Sequence, residues 1–254
     1  MESNQYKFMF EVEDHHWWYV GNHENFLTLL QRHDILKDEI YVLDAGCGTG
    51  RWLEILKKSN TIFETGIDNQ EIALEYARTR SKMNLRLENI NKCIFKESSF
   101  DLITCFDVIY HRDVNDELAI QNFKKYLRNG GCLLLTVPAY SFLYSKHDEV
   151  VHTNKRYTKK QIKILLEKNG FEIIKISYAV SLLFPFALIK RILDKLFFTN
   201  KNDNKEHNEV KMPSKRINQI FLSVMRFENF LLKYISLPFG LSVIVLAKNT
   251  NLKH

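Results

Sequence analysis

Glycine, proline and cysteine are all scarce in this chain. Nine Gly and four Pro in 254 residues exclude a collagen-like repeat and argue against a turn-dense sandwich of short strands. The four cysteines, Cys47, Cys93, Cys105 and Cys132, lie far apart and form no Cys-x-x-Cys pair. Neither a zinc ribbon nor a disulfide framework is expected, and a reducing, cytoplasmic setting is. No run reaches the roughly 18 uninterrupted apolar residues of a membrane-crossing helix. Residues 1–14 are polar and acidic and lack the apolar core of a secretory leader. No internal repeat is visible.

What remains is a folded chain, 45% apolar and 26% charged, long enough for one α/β domain with an elaboration. Its formal net charge is +6, but the excess is local. Residues 1–181 carry 24 basic and 25 acidic side chains, whereas residues 182–239 carry 10 and 5. The bulk is neutral. No basic groove is expected, so nucleic acid is not the expected partner.

Apolar runs at Ile40–Ala45, Thr61–Ile67, Leu85–Ile90, Phe100–Phe106, Gly131–Val137, Phe171–Val180 and Leu241–Lys248 read as strands. Helical spacing fills the intervals, around Trp52–Leu56 and across Glu71–Lys82, Glu117–Leu127 and Lys159–Lys168. Alternation of this kind predicts a doubly wound, mostly parallel α/β sheet. The expected division is an N-terminal cover over 1–36, a core over 37–181, a helical insertion over 182–240 and a last strand with tail over 241–254. The Asn- and Lys-rich stretch Thr199–Lys211 reads as a mobile loop.

The first strand runs into Gly46-Cys47-Gly48-Thr49-Gly50 and then a helix. Bare backbone can turn sharply there, and the helix N-terminus offers free N–H groups. Asp68 ends the second strand, where a carboxylate can accept both hydroxyl hydrogens of a ribose. The plainer reading, a tight turn plus a capping Asp, does not account for strand, three glycines, helix, strand and acid in that order. The spacing is Gly-x-Gly-x-Gly, not the Gly-x-Gly-x-x-Gly of dinucleotide sites, which disfavours an NAD-dependent oxidoreductase. Asp44 precedes the loop and suits a ligand with an ammonium group better than a pyrophosphate.

Val42 to Gly50 resembles the first motif of the class I S-adenosylmethionine (SAM)-dependent methyltransferases. The resemblance continues through Gly66-Ile67-Asp68, Ser99–Ile103, Leu127–Gly131 and Gly170-Phe171, and points to a bacterial branch acting on envelope glycans or small molecules. It implies a seven-stranded sheet with an antiparallel last strand and SAM as cofactor. By that resemblance Gly46, Gly48 and Gly50 hold the methionine part, with Asp44 near its amino group. Asp68 binds the ribose, Asn69 borders the adenine, Asn89 stands where many relatives have Asp, and Ile90 flanks the ring. Phe106 lies beside the sulfonium. The segment His15–Gly21, with Trp17 and Tyr19, resembles an entry segment that folds over the cofactor; aromatics packing under the first helix are the plainer alternative.

Methyl transfer from a sulfonium is a single displacement, so alignment supplies most of the rate, about 7–11 kcal/mol. A base adds about 10²–10⁴-fold when the acceptor loses a proton. The acceptor should enter beyond the carboxyl ends of the strands, near the loop after Val137. His152 is the expected base, with Asp148 orienting it and Tyr157 beside it; a solvated polar loop is the competing reading. His111, after the fourth strand, faces the same edge as a cofactor-side residue or a structural hydrogen-bonding one. No spacing recommends a metal. Cys105 and Cys47 read as core and loop filler.

Ser181–Phe198 and Ile217–Leu237 are apolar but interrupted by Lys190, Arg191, Lys195, Arg226 and Lys233. Such helices suit a lid over the acceptor or a peripheral contact with anionic lipid through 182–239. The expected activity is O-methylation of a small-molecule, glycan or lipid-linked acceptor. N- or carboxylate methylation of a metabolite is the alternative. A nucleic-acid methyltransferase lacks support, because Cys105-Phe106-Asp107-Val108 stands where amino-methylating DNA enzymes carry Asn/Asp-Pro-Pro-aromatic. The non-enzymatic alternative is a SAM-binding, membrane-docking partner.

Overall fold

The computed structural model describes residues 3–59, 62–197 and 212–250. Seven strands form one sheet: β1 (Ile40–Ala45), β2 (Ile62–Asp68), β3 (Asn84–Leu87), β4 (Phe100–Phe106), β5 (Leu127–Pro138), β6 (Phe171–Ala179) and β7 (Ser242–Asn249). The spatial order is β3-β2-β1-β4-β5-β7-β6. Strands β1 to β5 run parallel, and β7 runs antiparallel to both β5 and β6. The order reverses at β1 and β4, so the crevice for a ligand opens beyond their carboxyl ends.

Nine helices are described: α1 (Ser3–Val12), α2 (Trp17–Arg32), α3 (Arg51–Ser59), α4 (Glu71–Arg80), α5 (Asp116–Tyr126), α6 (Lys146–Val150), α7 (Lys159–Lys168), α8 (Phe184–Phe197) and α9 (Lys215–Leu232). Local chemistry explains several starts. Asn115 caps α5 through the Leu118 N–H at 3.0 Å, and Thr158 with Gln161 forms a capping box on α7. Two clusters of buried side chains lie on the two faces of the sheet. Leu43, Ile103, Phe123 and Leu135 belong to one, and Val42, Leu53, Leu102 and Leu134 to the other, as strand alternation requires.

The expected strand Leu85–Ile90 is shorter in the structure, because β3 ends at Leu87. Asn89 and Ile90 lie in the following turn, held by the Asn89 side chain accepting from the Asn91 N–H at 2.9 Å. Helix α9 packs along α2. The Gly21 Cα comes so close that an added Cβ would meet Met225 Cβ at 2.9 Å, and Asn229 donates to the Gly21 carbonyl at 2.8 Å. The second insertion helix and the N-terminal segment are thus one layer. Thr199–Lys211, expected as a loop, lies outside the described residues.

Candidate active site

The start of the glycine loop is fastened to β2. The Gly46 and Cys47 N–H groups both donate to the Ile67 carbonyl, at 2.8 and 2.9 Å. Gly46, Gly48 and Gly50 all take positive φ, +91°, +51° and +79°, conformations a side chain disfavours. Gly46 is doubly constrained, since a Cβ there would lie 2.3 Å from Val108 Cγ2.

Two carboxylates flank this loop. Asp44 is buried, and its Oδ1 accepts from the Thr104 hydroxyl at 2.7 Å, because the two residues are register partners across β1 and β4. Burial pushes the Asp44 carboxyl up to about 7, against the Thr104 hydrogen bond and with help from the nearby Asp68 charge. Asp68 accepts from the Gly48 N–H and the Gln70 N–H, each at 3.0 Å, and burial raises its pKa as well. Among the described residues no Lys or Arg forms an ion pair with either acid. Desolvated carboxylates without a cation disfavour ionisation, so the crevice fits a ligand that brings a positive charge and hydroxyl donors. SAM carries both.

Helix α1 covers this crevice. Tyr6 faces Asp68, which with burial raises the phenol pKa. Met9 Cε lies 3.0 Å from where a Gly48 Cβ would sit. Phe10 stacks on Tyr76 of α4, with centroids 4.8 Å apart. At the helix end, buried Glu13 accepts from Thr49 and pairs with Arg80 at 2.6 Å. Arg80 also reaches Glu54, Asp14 and the Thr49 carbonyl. Tyr6, Met9, Phe10 and Glu13 are residues that sequence reasoning missed. Their spacing over two turns of a helix was the available signal.

The aromatic entry segment divides. His16 caps α2, its Nδ1 accepting from the Trp18 N–H at 3.2 Å. The half-buried Trp17 ring meets Phe221 of α9 at 5.3 Å, packing of the kind that was the plainer alternative for this segment. Tyr19 points inward, where burial and the charges of Glu13 and Asp107 raise its pKa. Phe106, at the end of β4, is half-buried in an aromatic cluster. Its ring stacks on Phe26 at 4.0 Å and meets Trp52 at 5.4 Å. Asn69 is exposed, and Ile90 is buried beneath the turn after β3.

On the acceptor side, the expected pair of His152 and Asp148 does not form. Asp148 is buried and holds Arg156 in a two-pronged pair, at 2.8 Å to Nε and 3.0 Å to Nη2, and accepts from Ser145. His152 is exposed and takes a positive φ of +57°; its carbonyl accepts from the Arg112 N–H. Spacing along α6 pointed to the wrong partner because Arg156, in the loop beyond, returns to the buried carboxylate. Tyr157 donates to Asp116 at 2.9 Å and is buried, so it is a structural link rather than a free acid. His111 lies among backbone groups of Val151, Asp107 and His152, and burial lowers its pKa.

The residue at the mouth is Asp107. It follows β4 directly, at φ +56°, with its N–H donating to the Thr136 carbonyl of β5 at 3.1 Å. Burial pushes its carboxyl up to about 6, against the Thr136 side-chain hydrogen bond and the weaker pull of Arg156. Tyr110, whose pKa is raised by burial and by the charges of Asp107 and Asp148, lies among the same groups. Tyr140 and Val180, following β5 and β6, also hold positive φ, +56° and +58°. Asp107, Tyr140 and Val180 thus place three left-handed residues at the carboxyl edge, while Asp34, Glu39 and Ser98 hold positive φ before β1 and β4.

Residues 21–176 match the family model described as a methyltransferase domain. The chain belongs to this family. An uncharacterised protein of Methanocaldococcus jannaschii is 30% identical over 169 residues, 66% of this chain and 68% of that one. A ubiquinone biosynthesis O-methyltransferase of Neisseria meningitidis is 36% identical over 86 residues, covering 31% of this chain and only 35% of that protein. A probable tRNA methyltransferase 9B of Mus musculus is 30% identical over 45% of this chain and 26% of its own length. Among solved structures, a complex between a methyltransferase activator and a methyltransferase of Haloferax volcanii superposes with a TM-score of 0.62 at 15% identity, over 98% of this chain and 95% of that one. Phosphoethanolamine N-methyltransferase 2 of Haemonchus contortus, solved with SAM, gives 0.59 at 18% identity over 90% and 52%. The fold is the Rossmann-like methyltransferase fold, and SAM is its cofactor. The glycine cradle and the buried carboxylates Asp44 and Asp68, neither ion-paired with a Lys or Arg among the described residues, fit that cofactor on their own chemistry.

Proposed function

We propose that this methyltransferase acts on a hydroxyl oxygen of a small-molecule, glycan or lipid-linked acceptor, with Asp107 taking the proton. The observation that carries this reading is a carboxylate of raised pKa at the exit of β4, between Tyr19, Tyr110 and Arg156. Bound SAM supplies a methyl group on a positively charged sulfur. Asp44 and the glycine loop would hold its amino-acid end, and Asp68 its ribose. Asp107 would take the proton that the acceptor hydroxyl gives up. A base with a pKa of about 6 is ionised at neutral pH yet still basic enough to help. The 36% identity to an O-methyltransferase over 86 residues supports the oxygen acceptor.

The test is incubation with methyl-labelled SAM and fractionated cell extract. Label is expected in a lipid, sugar or small-molecule fraction. Asp107→Asn should lower incorporation about 10²–10⁴-fold with little change in SAM affinity. Label in nucleic acid, or a variant as active as the parent, overturns the proposal.

A further inference from the structure

Helix α9 has two faces, and only one has a partner in the fold. Asn218, Met225, Asn229 and Leu232 turn inward toward α2. Opposite them Ile217, Ile220, Phe227 and Phe230 are exposed, Ile220 by 61% and Phe227 by 57%. Tyr234 and Ile235 past the helix end are exposed as well, and so are Phe186 and Ile189 of α8. Between Leu182 and α9 runs a groove of about 630 Å³ that includes Ile220, Val224 and Phe227. An exposed apolar face of this kind marks an interaction site.

Charge identifies the occupant. From Met212 to Gly240 the one acidic residue is Glu228. It is buried, accepting from the Ser181 and Leu182 N–H groups at 2.6 and 2.9 Å. Lys215 and Arg216 stand exposed in the first turn of α9, where the helix dipole disfavours cations. Among the described residues neither forms an ion pair. Cations kept there against the dipole and beside bare aromatics call for an anionic surface outside the protein. We infer that the outward face of α9, with the start of α8, docks on an anionic lipid bilayer.

The geometry suits a helix lying in the plane of the interface. At 18 residues α9 is about 27 Å long, and its apolar stripe and cationic end face outward together. Among the described residues no helix is long and apolar enough to cross a membrane. A second copy of this chain would bring cationic faces with no exposed carboxylate between Met212 and Gly240 against each other, which an isologous contact cannot relieve. Phosphodiester headgroups relieve it. The same helices border the acceptor mouth: the Phe184 ring meets Tyr140 edge-on at 6.1 Å, and Arg191 lies 3.9 Å from Asp148. The docking inference stands apart from the methyl-transfer reading and needs no acceptor to test.

The experiment is co-sedimentation of the full chain with vesicles of phosphatidylcholine alone or mixed with phosphatidylglycerol. Binding at least about tenfold tighter to the mixed vesicles is expected, falling as salt is raised. Ile220→Ser with Phe227→Ser, and separately Lys215→Glu with Arg216→Glu, should each weaken it about tenfold at unchanged melting temperature. If the apolar pair fails to fold, the charge reversal and the salt series on the parent chain still decide. Equal partition onto neutral vesicles, or binding that survives both variants, overturns the inference. So does a dimer by ultracentrifugation that the Ile220/Phe227 variant dissolves.

Discussion

Asp44 is a carboxylate whose ionisation burial opposes. Its folded pKa of about 7 lies above the ordinary value of 3.8, so its neutral form contributes stability at low pH. That contribution is complete below about 4 and is lost as pH rises through 7. A bound ammonium reverses the preference, because it needs the ionised acid. SAM affinity should therefore rise as pH passes upward through 7, by about tenfold per unit at most. Calorimetric titrations across that range check it, and Asp44→Asn should leave only the ligand's own pH dependence. A flat profile for the parent chain would contradict the role given to Asp44. Single residues were legible in the sequence where a motif fixes backbone and charge together, as at Gly46–Gly50 and Asp68. They were not legible where a side chain's direction depends on tertiary packing. Phe106 and Trp17 are aromatic residues whose ring partners, Phe26 and Phe221, come from other elements.

Elements show the same division. The core strands and α4, α5 and α7 announce themselves by apolar period and caps, and β7 by an unbroken β-branched run. The cover was harder. Its aromatic segment drew attention to α2, whereas α1 is the helix that lies over the loop. What fastens α1 is Arg80, at the far end of α4, pairing with Glu13 and Asp14, a contact across more than sixty residues that no local pattern encodes. Arg80→Ala should leave Glu13 buried and unpaired, at a cost of about 3–5 kcal/mol. Melting should move down by several degrees, and trypsin should cut within α1 before the core unfolds. Cleavage no faster than in the parent would mean that Phe10 and Met9 packing alone secures the helix. The misplaced pair of His152 and Asp148 has a similar cause: Asp148 is satisfied by Arg156, eight residues on, after the chain has turned back.

At the scale of the molecule, one sheet order explains where everything functional lies. Reversal at β1 and β4 puts the glycine loop, Asp68 and Asp107 on one carboxyl edge. The N-terminal helices and α9 then close over that edge as a common layer. A mostly parallel sheet was legible in the alternation of apolar runs, and the antiparallel last strand in the family resemblance, whereas the strand order is given by the structure. The layer was not legible, because its contacts join Trp17 to Asn218 and Glu24 to Arg226, two hundred positions apart. The claim on which the rest depends is that this edge binds a cationic nucleoside through Asp68. Isothermal titration of the parent chain and of Asp68→Ala with SAM and with NAD tests it directly. Saturable SAM binding is expected, at least about tenfold weaker in the variant, with no comparable response to NAD. Tighter binding of NAD, or SAM binding that Asp68→Ala leaves untouched, would contradict it.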